Sequence, residues 1–429
     1  NLGGLGSGAV TFDGGTLEFN GWTGSTSPDY LGNANALVIP ANQTGTVHVP
    51  QRFLTPGLAG TLSGGGTLNL MVKYVRGDIP GDWSAFTGKI NVLNGSGGDD
   101  FRVANANGFP LAKLNIGASV DMYSRAAANS VIPIGEFSGA STATVAADGA
   151  GGLGGKNAVT WRVGGLNTDA TNAAAFSGIV AFIKEGSGAW TLTGASTHTG
   201  STVVSNGTLL VNGTFNGSPV TVKGGKLGGI GTISGAAVAV NSGGGFAPGN
   251  PLGTLTVSNN LTLAAGSTTF VQVQHSPLTN NSAKISGALT EGGTLNVSNI
   301  GGAFSNGDSF NLFSAANYSG AFAGFVLPSL TGNLVWNTNT LKNSGTLSVV
   351  TLTSPIIAGI NLVGGNLIIS GSGGVNSWPF YILASTNLML PTTQWIPVAT
   401  NQFDAGGNFS VTNAIDPDQP QTFYKLQLQ

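Results

Sequence analysis

The side chains able to do acid–base or metal chemistry are few in this sequence, and one group of them falls in a single stretch. Lys73, Arg76, Asp78, Asp82, Asp99, Asp100 and Arg102 fall close together, with the bulky aromatics Trp83, Phe86, Phe101 and Phe109 around them. Cleavage of a polysaccharide needs two facing carboxylates, or a Lys or Arg base beside a metal-held uronate. The pairs on offer are Asp78 with Asp82, Asp99 with Asp100, and Lys73 with Arg76. Asp99 and Asp100 are adjacent, so in a strand they point to opposite faces and cannot act as a facing pair. In a loop they become the candidate Ca2+ ligands of the chain, for a cation that takes roughly six to eight oxygens. No Ca2+-loop spacing surrounds them, and solvated loop charges are the plainer reading. The expectation is a protein that is not an enzyme.

The three histidines, His48, His198 and His275, stand far apart, with no carboxylate and no nucleophilic serine motif beside them. His198 falls in a polar turn, where a structural role is expected. Strings of the G-x-G-x-x-G kind, as at 149–155, are frequent because glycine itself is frequent, and none follows a strand to open a helix. They read as corners, not phosphate cradles. Triplets such as Asn212-Gly213-Thr214 and Asn408-Phe409-Ser410 fit the glycosylation pattern, but chance supplies them in so Asn- and Thr-rich a chain.

What must position these residues is set by composition. Of 429 residues, 70 are glycine and only 7% are charged, against about 7% glycine and about 25% charge in an average soluble domain. Ser, Thr and Asn take the place of the missing charge. With 41% hydrophobic residues in short patterned runs, the chain has the apolar surface to bury a core. The 15 Lys and Arg are scattered singly and the net charge is −2, which excludes a nucleic-acid footprint and an electrostatic membrane anchor. No run of about eighteen apolar residues is present to span a bilayer as a helix. There is no cysteine, so no disulfide framework, and this suits a bacterial exported protein. The sequence opens at Asn1 without Met or an apolar leader, which predicts a processed form whose export signal has been removed.

The commonest unit is a turn followed by a short strand. G-T-L occurs at Gly15–Leu17, Gly60–Leu62, Gly66–Leu68, Gly207–Leu209, Gly253–Leu255, Gly293–Leu295 and Gly345–Leu347, with G-K-L at Gly225–Leu227. In T-L-L-V-N-G and T-L-T-V-S-N the alternation places Leu209 with Val211, and Leu255 with Val257, on one strand face. Gly and Asn at the ends supply positive φ. Sustained helical spacing is absent. Short strands with brief turns, few hairpin signals, and Asn and Thr placed to stack in side-chain ladders predict an all-β parallel β-helix, with roughly 20–25 residues per coil. We expect this solenoid over 1–353, with longer loops in 31–163. From 354 to 429 Pro and aromatics increase, runs such as P-F-Y-I-L-A-S and W-I-P-V-A-T read as antiparallel strands, and D-A-G-G-N (Asp404–Asn408) reads as a hairpin turn. A small antiparallel β-sandwich is expected there.

The stretch Trp190–Gly213, W-T-L-T-G-A-S-T-H-T-G-S-T-V-V-S-N-G-T-L-L-V-N-G, closely resembles the autotransporter-associated β-strand repeat. Gly224–Gly235, Phe246–Val257, Gly307–Phe322 and Val163–Asp169 are similar to the passenger segments that accompany it. The resemblance covers 163–350 well and the N-terminal part more loosely. It implies a right-handed parallel β-helix exported to the cell surface. The C-terminal stretch, with Y-I-L-A-S-T-N-L, W-I-P-V-A-T-N-Q-F-D-A-G-G-N-F-S and Q-T-F-Y-K-L-Q, resembles a terminal module of large secreted proteins of Verrucomicrobia-like bacteria. That departs from ordinary autotransporters, whose C-terminal membrane barrel needs many strands of about ten residues.

These readings lead to an extracellular or cell-surface structural solenoid whose partner is another copy of itself. The opening residues L-G-G-L-G-S-G-A-V-T-F are strand-like and carry no charge before Asp13, so they do not cap the stack. Head-to-tail association through the N-terminal strand and the C-terminal module is expected. The alternative is an adhesin that binds polysaccharide, with Trp378, Tyr381 and Trp395 as the sugar-stacking candidates, although core filling is the commoner use of such rings. A polysaccharide lyase or glycosidase ranks third.

Overall fold

A computed structural model of the chain describes residues 7–18, 34–49, 57–72, 79–95, 99–149, 156–249, 252–416 and 418–428. It separates into two compact units. One comprises Asn1–Gln272, Asn281–Val297 and Ser314–Val326; the other comprises Val273–Asn280, Ser298–Phe313 and Leu327–Gln429.

The first unit is the expected parallel β-helix. Its most regular part lies within 189–263, where each coil has three short strands. Ala189–Leu192, Thr208–Val211, Lys226–Gly229 and Gly245–Pro248 stack as successive parallel strands on one side. The coil is short: Thr208 lies beside Lys226, eighteen residues on (226 − 208). Alternation sends every second side chain inward, and the inward side chains line up from coil to coil. One file runs Phe182, Thr202, Val220, Val238, Leu261, Leu289, and a second runs Trp190, Leu209, Leu227, Phe246. Leu62, Leu68, Leu209, Leu227, Leu255, Leu295 and Leu347 of the recurring tripeptide are all buried, whereas Leu17 is half-buried.

Corners are tight, and Gly207 shows why. Its φ is +65°, and a Cβ there would stand 2.3 Å from the carbonyl oxygen of Gly186 in the coil below. Both the backbone conformation and the space demand glycine.

The stretch 31–163 is also coiled. Thr44–Val49, Thr67–Val72, Lys89–Asn94 and Phe109–Ile116 stack in parallel. Here the expected ladder is visible: Asn91 Nδ2 donates to Asn69 Oδ1 at 3.0 Å, Asn115 Nδ2 reaches Asn91 Oδ1 at 3.5 Å, and Ser138 Oγ donates to Asn115 Oδ1 at 3.0 Å.

In the second unit the pairing changes. Ser309–Asn311, Leu334–Asn337 and Thr346–Thr351, which the sequence reading places inside the solenoid, form an antiparallel sheet instead. The strand Thr346–Thr351 buries Leu347 and Val349, and the turn before it closes on Gly345 at φ +67°, a reversal that sets it antiparallel to its neighbours.

Beyond it lie six strands: β1 (Ile356–Val363), β2 (Asn366–Ser372), β3 (Pro379–Ser385), β4 (Ile396–Gln402), β5 (Phe409–Ala414) and β6 (Phe423–Leu428). They form two three-stranded antiparallel sheets, ordered β1-β2-β5 and β4-β3-β6, around Ile369, Phe380, Ile382, Phe403, Phe409 and Val411. The expected hairpin at Asp404–Asn408 is corrected here. β4 pairs with β3 and β5 with β2, so this turn carries the chain from one sheet to the other. Phe403 and Phe409 flank it, meeting edge to face at 5.8 Å in the core; burying both rings separates the strands that follow them.

Candidate functional site

The charged residues singled out from the sequence come together in part. Strands Asp99–Val103, Val120–Ser124 and Thr144–Ala147 lie parallel and adjacent, so Asp100, Asp121 and Thr144 stand in register, as do Arg102 and Tyr123. Asp100 Oδ2 accepts from Arg102 Nη2 at 2.5 Å and from the Tyr123 hydroxyl at 3.1 Å. Asp121 accepts from Thr144 Oγ1 at 2.5 Å and from Lys156 Nζ. Two cations lie over the Tyr123 ring, the Arg102 guanidinium carbon 5.2 Å and Lys156 Nζ 5.1 Å from its centroid. Burial, helped by the Asp100 charge, drives the Tyr123 phenol well above its ordinary value, so it stays a neutral donor.

Two acids and two bases here neutralise each other pairwise. Asp100 Oδ2 is held by the guanidinium of its own strand and the phenol of the neighbouring one, so this carboxylate ties the two strands together. For Asp99, the other Ca2+ candidate, only the strand backbone is described. Among the described residues no group of three or more His, Cys, Asp or Glu side chains is placed to hold a metal. Lys73, Arg76 and Asp78 lie outside the described residues. Asp82 caps a turn: it accepts from Ser84 N at 3.0 Å and Asn107 Nδ2 at 2.9 Å, and the bonds from Ser84 hold its carboxyl below the usual range.

The histidines correct the sequence reading. Two of them face carboxylates after all: His48 Nδ1 lies 3.0 Å from Glu18 Oε2, and His275 Nδ1 lies 2.8 Å from Asp308 Oδ2. These carboxylates are 30 and 33 residues away in sequence, and Glu18 reaches His48 because the two are in register in adjacent coils. His198, expected at a polar turn, is instead buried inside the solenoid. Phe176, Phe182 and Phe215 meet its ring edge-on at 6.0, 5.3 and 4.9 Å. Its Nε2 is 3.2 Å from Thr202 Oγ1, which is 2.9 Å from Ser218 Oγ, and Ser218 donates to the Gly200 carbonyl at 2.8 Å. Burial lowers the His198 pKa to about 4. A neutral imidazole, sealed by three rings and linked to two buried hydroxyls, fastens coils together; substrate has no access to it.

Two further buried ionisable groups, not singled out from the sequence, lie on the apolar face of their strands by simple alternation. Lys184 is 1% exposed and spends its ammonium on the backbone carbonyls of Glu185, Gly186 and Asn206, at 2.5, 3.0 and 3.4 Å. Burial brings its pKa down to about 8. Lys184 sits in an inward file that runs from Ile134 and Val163 before it to Val204, Val222, Val240 and Leu263 after it. Glu291 is 4% exposed, its Oε1 has no hydrogen-bond partner, and burial pushes its carboxyl up to about 7.

The three aromatic candidates of the C-terminal module do not form one platform. Trp378 packs against the core cluster. Trp395 is buried and donates its indole N–H to the Leu390 carbonyl at 3.0 Å. Tyr381 lies between Phe380 and Ile382, both fully buried, and so faces the opposite side of β3.

Residues 182–211 match the family model of the passenger-associated-transport-repeat. Comparison with curated proteins finds no match. The matched stretch holds Lys184, Trp190, His198 and Leu209, the side chains that lock neighbouring coils. Over these residues the chain is therefore similar to the repeat of autotransporter passengers, which suggests an extracellular or surface protein.

Proposed function

We propose that this protein is a non-enzymatic structural β-solenoid of the cell exterior, associating end to end with copies of itself. One observation carries the reading. Between Ala189 and Leu263 the strands are joined by turns of only two to five residues, and the interior is filled by stacked side chains. Such coils give backbone edges and a smooth outer face, and offer no long loops from which a pocket is built. The charged groups of the Asp100 cluster and the buried Lys184 and His198 support the same reading, since they are spent on one another, on backbone carbonyls and on ring contacts within the stack. Association through the N-terminal strands is supported by Val10–Thr11 and Thr16–Glu18, each of which, among the described residues, pairs with a strand on one side only. The passenger-repeat match over residues 182–211 favours export.

Negative-stain microscopy of the purified chain tests this. Filaments that lengthen with concentration are expected. Single particles at every concentration, together with binding on a glycan array, would replace the reading with a polysaccharide-binding adhesin. Release of unsaturated products from polyuronates, lost in Asp100→Ala, would replace it with a lyase.

A further inference from the structure

The C-terminal module has an unguarded strand edge. β1 is hydrogen-bonded to β2 on one side and, among the described residues, has no partner on the other. An open edge is a template for another strand, and proteins usually blunt it with charge, Pro or a bulge. Here one bulge interrupts the pairing, between Ile357 and Gly359, and charge is missing altogether: from Asn343 to Phe403 the sequence has no acidic, basic or histidine residue. The edge is also apolar. Ile360 and Leu362 stand in register with Ile369 and Leu367, which line the core, so they point to the core side of the sheet. Yet they are 57% and 67% exposed.

We propose that β1 pairs antiparallel with β1 of a second copy, about a twofold axis at Asn361. In that register Ile360 of one copy lies opposite Leu362 of the other, and each covers the overhang its own sheet leaves bare. Asn361 lies opposite its twin on the reverse face, where two amides satisfy each other, one donating and one accepting. Gly359 lies opposite Val363, small against large. The occupant is a second copy because the edge asks for an uncharged strand with large apolar residues on one face and a polar residue between them, and β1 is itself that strand. With no charge on either side, self-pairing meets no repulsion. The two three-stranded sheets become one continuous six-stranded sheet. This junction closes on itself, so it is separate from end-to-end association and does not rest on it.

The absence of native cysteine makes the test clean. Asn361→Cys is introduced in the full chain and treated with a mild oxidant. Directly opposed residues of an antiparallel pair have Cα atoms about 4.5–5.5 Å apart, within the range a disulfide spans. A disulfide-linked dimer is expected as the main product. Ser410→Cys, exposed on β5 at the other edge of the same sheet, is expected to cross-link at least tenfold less. Adding Ile360→Lys to Asn361→Cys is expected to cut the dimer at least tenfold while the thermal unfolding curve stays in place. Equal cross-linking at positions 361 and 410, or a dimer indifferent to Ile360→Lys, overturns the proposal. Loss of filaments with cross-linking intact would count against the end-to-end reading alone.

Discussion

Asn69 and Asn91 face each other across adjacent coils, the Nδ2 of Asn91 donating to the Oδ1 of Asn69 at 3.0 Å. Asn115 continues the row, so the amide of Asn91 works in both directions: it donates to the coil before and accepts from the coil after. Removing it strips both neighbours of a partner at once. Asn91→Ala is expected to destabilise the solenoid by about 1–3 kcal/mol, with Asn91→Gln recovering little, because the longer amide no longer lines up. Urea unfolding followed by circular dichroism measures this; an unchanged midpoint for Asn91→Ala would make the row ornamental.

The Asp100 cluster is predicted to matter for stability in an order set by charge. Asp100→Asn leaves the Arg102 guanidinium, with a side chain only 8% exposed, facing a neutral amide. Breaking a fully buried pair in this way costs roughly 3–5 kcal/mol. Asp100 keeps 22% of its side chain in water, so about 2 kcal/mol is expected. Tyr123→Phe removes one hydrogen bond and is expected to cost about 1 kcal/mol. Denaturation midpoints of the two variants give the ranking, and Tyr123→Phe proving the worse would mean that the phenol, not the ion pair, anchors the strands.

The strand pattern was legible in the sequence because alternation after Gly-Thr-Leu is a local property: Leu209 and Val211, like Leu255 and Val257, are buried together as their spacing requires. The cross-coil pairs were not legible, since each depends on coil length, and that length varies. Asp100 meets Asp121 after twenty-one residues (121 − 100), Thr208 meets Lys226 after eighteen, and Glu18 meets His48 after thirty. Without the period, no carboxylate can be assigned to His48. Lys184 and Glu291 escaped for a different reason. A strand of alternating residues usually points its charged side chain outward, and here the alternation itself placed both inside. At Asp404–Asn408 the turn chemistry was legible and its use was not: Asp404 does accept from Gly406 N and Asn408 N, at 2.9 and 2.8 Å, yet core burial of Phe403 and Phe409 decided which sheets it joins.

Gly207→Ala tests the packing of corners. The methyl group would meet the Gly186 carbonyl at 2.3 Å and Lys184 Nζ at 2.7 Å, at a φ of +65°. The left-handed backbone alone costs about 1–2 kcal/mol with a side chain, and displacing Lys184 from its carbonyls adds to it. A loss of at least about 3 kcal/mol is expected, against about 1–2 kcal/mol for Gly332→Ala, a glycine at φ +67° with nothing within 4 Å of the added carbon. Comparable losses at the two positions would mean that backbone strain dominates and coil contact does not.

Glu291 makes stability depend on pH. Its folded-state value of about 7, against the ordinary 4.5, means that between these limits the folded protein holds a proton the unfolded chain has released. Stability is therefore greatest at and below about pH 4.5 with respect to this group, falls as pH rises to 7, and stays low above it. The difference of 2.5 (7 − 4.5) corresponds to about 3 kcal/mol. His198 acts in the opposite sense: its value is depressed to about 4 from 6.5, so its contribution is lost as pH falls from 6.5 to 4. The comparison that isolates Glu291 is the parent against Glu291→Gln, because His198 is common to both and cancels. Glu291→Gln is expected to be more stable by about 3 kcal/mol at pH 8, with the advantage shrinking through pH 7 to 4.5 and gone below it. Stability curves for the two proteins that run parallel across this range would show that the Glu291 carboxyl is not carried into the solenoid as a neutral acid.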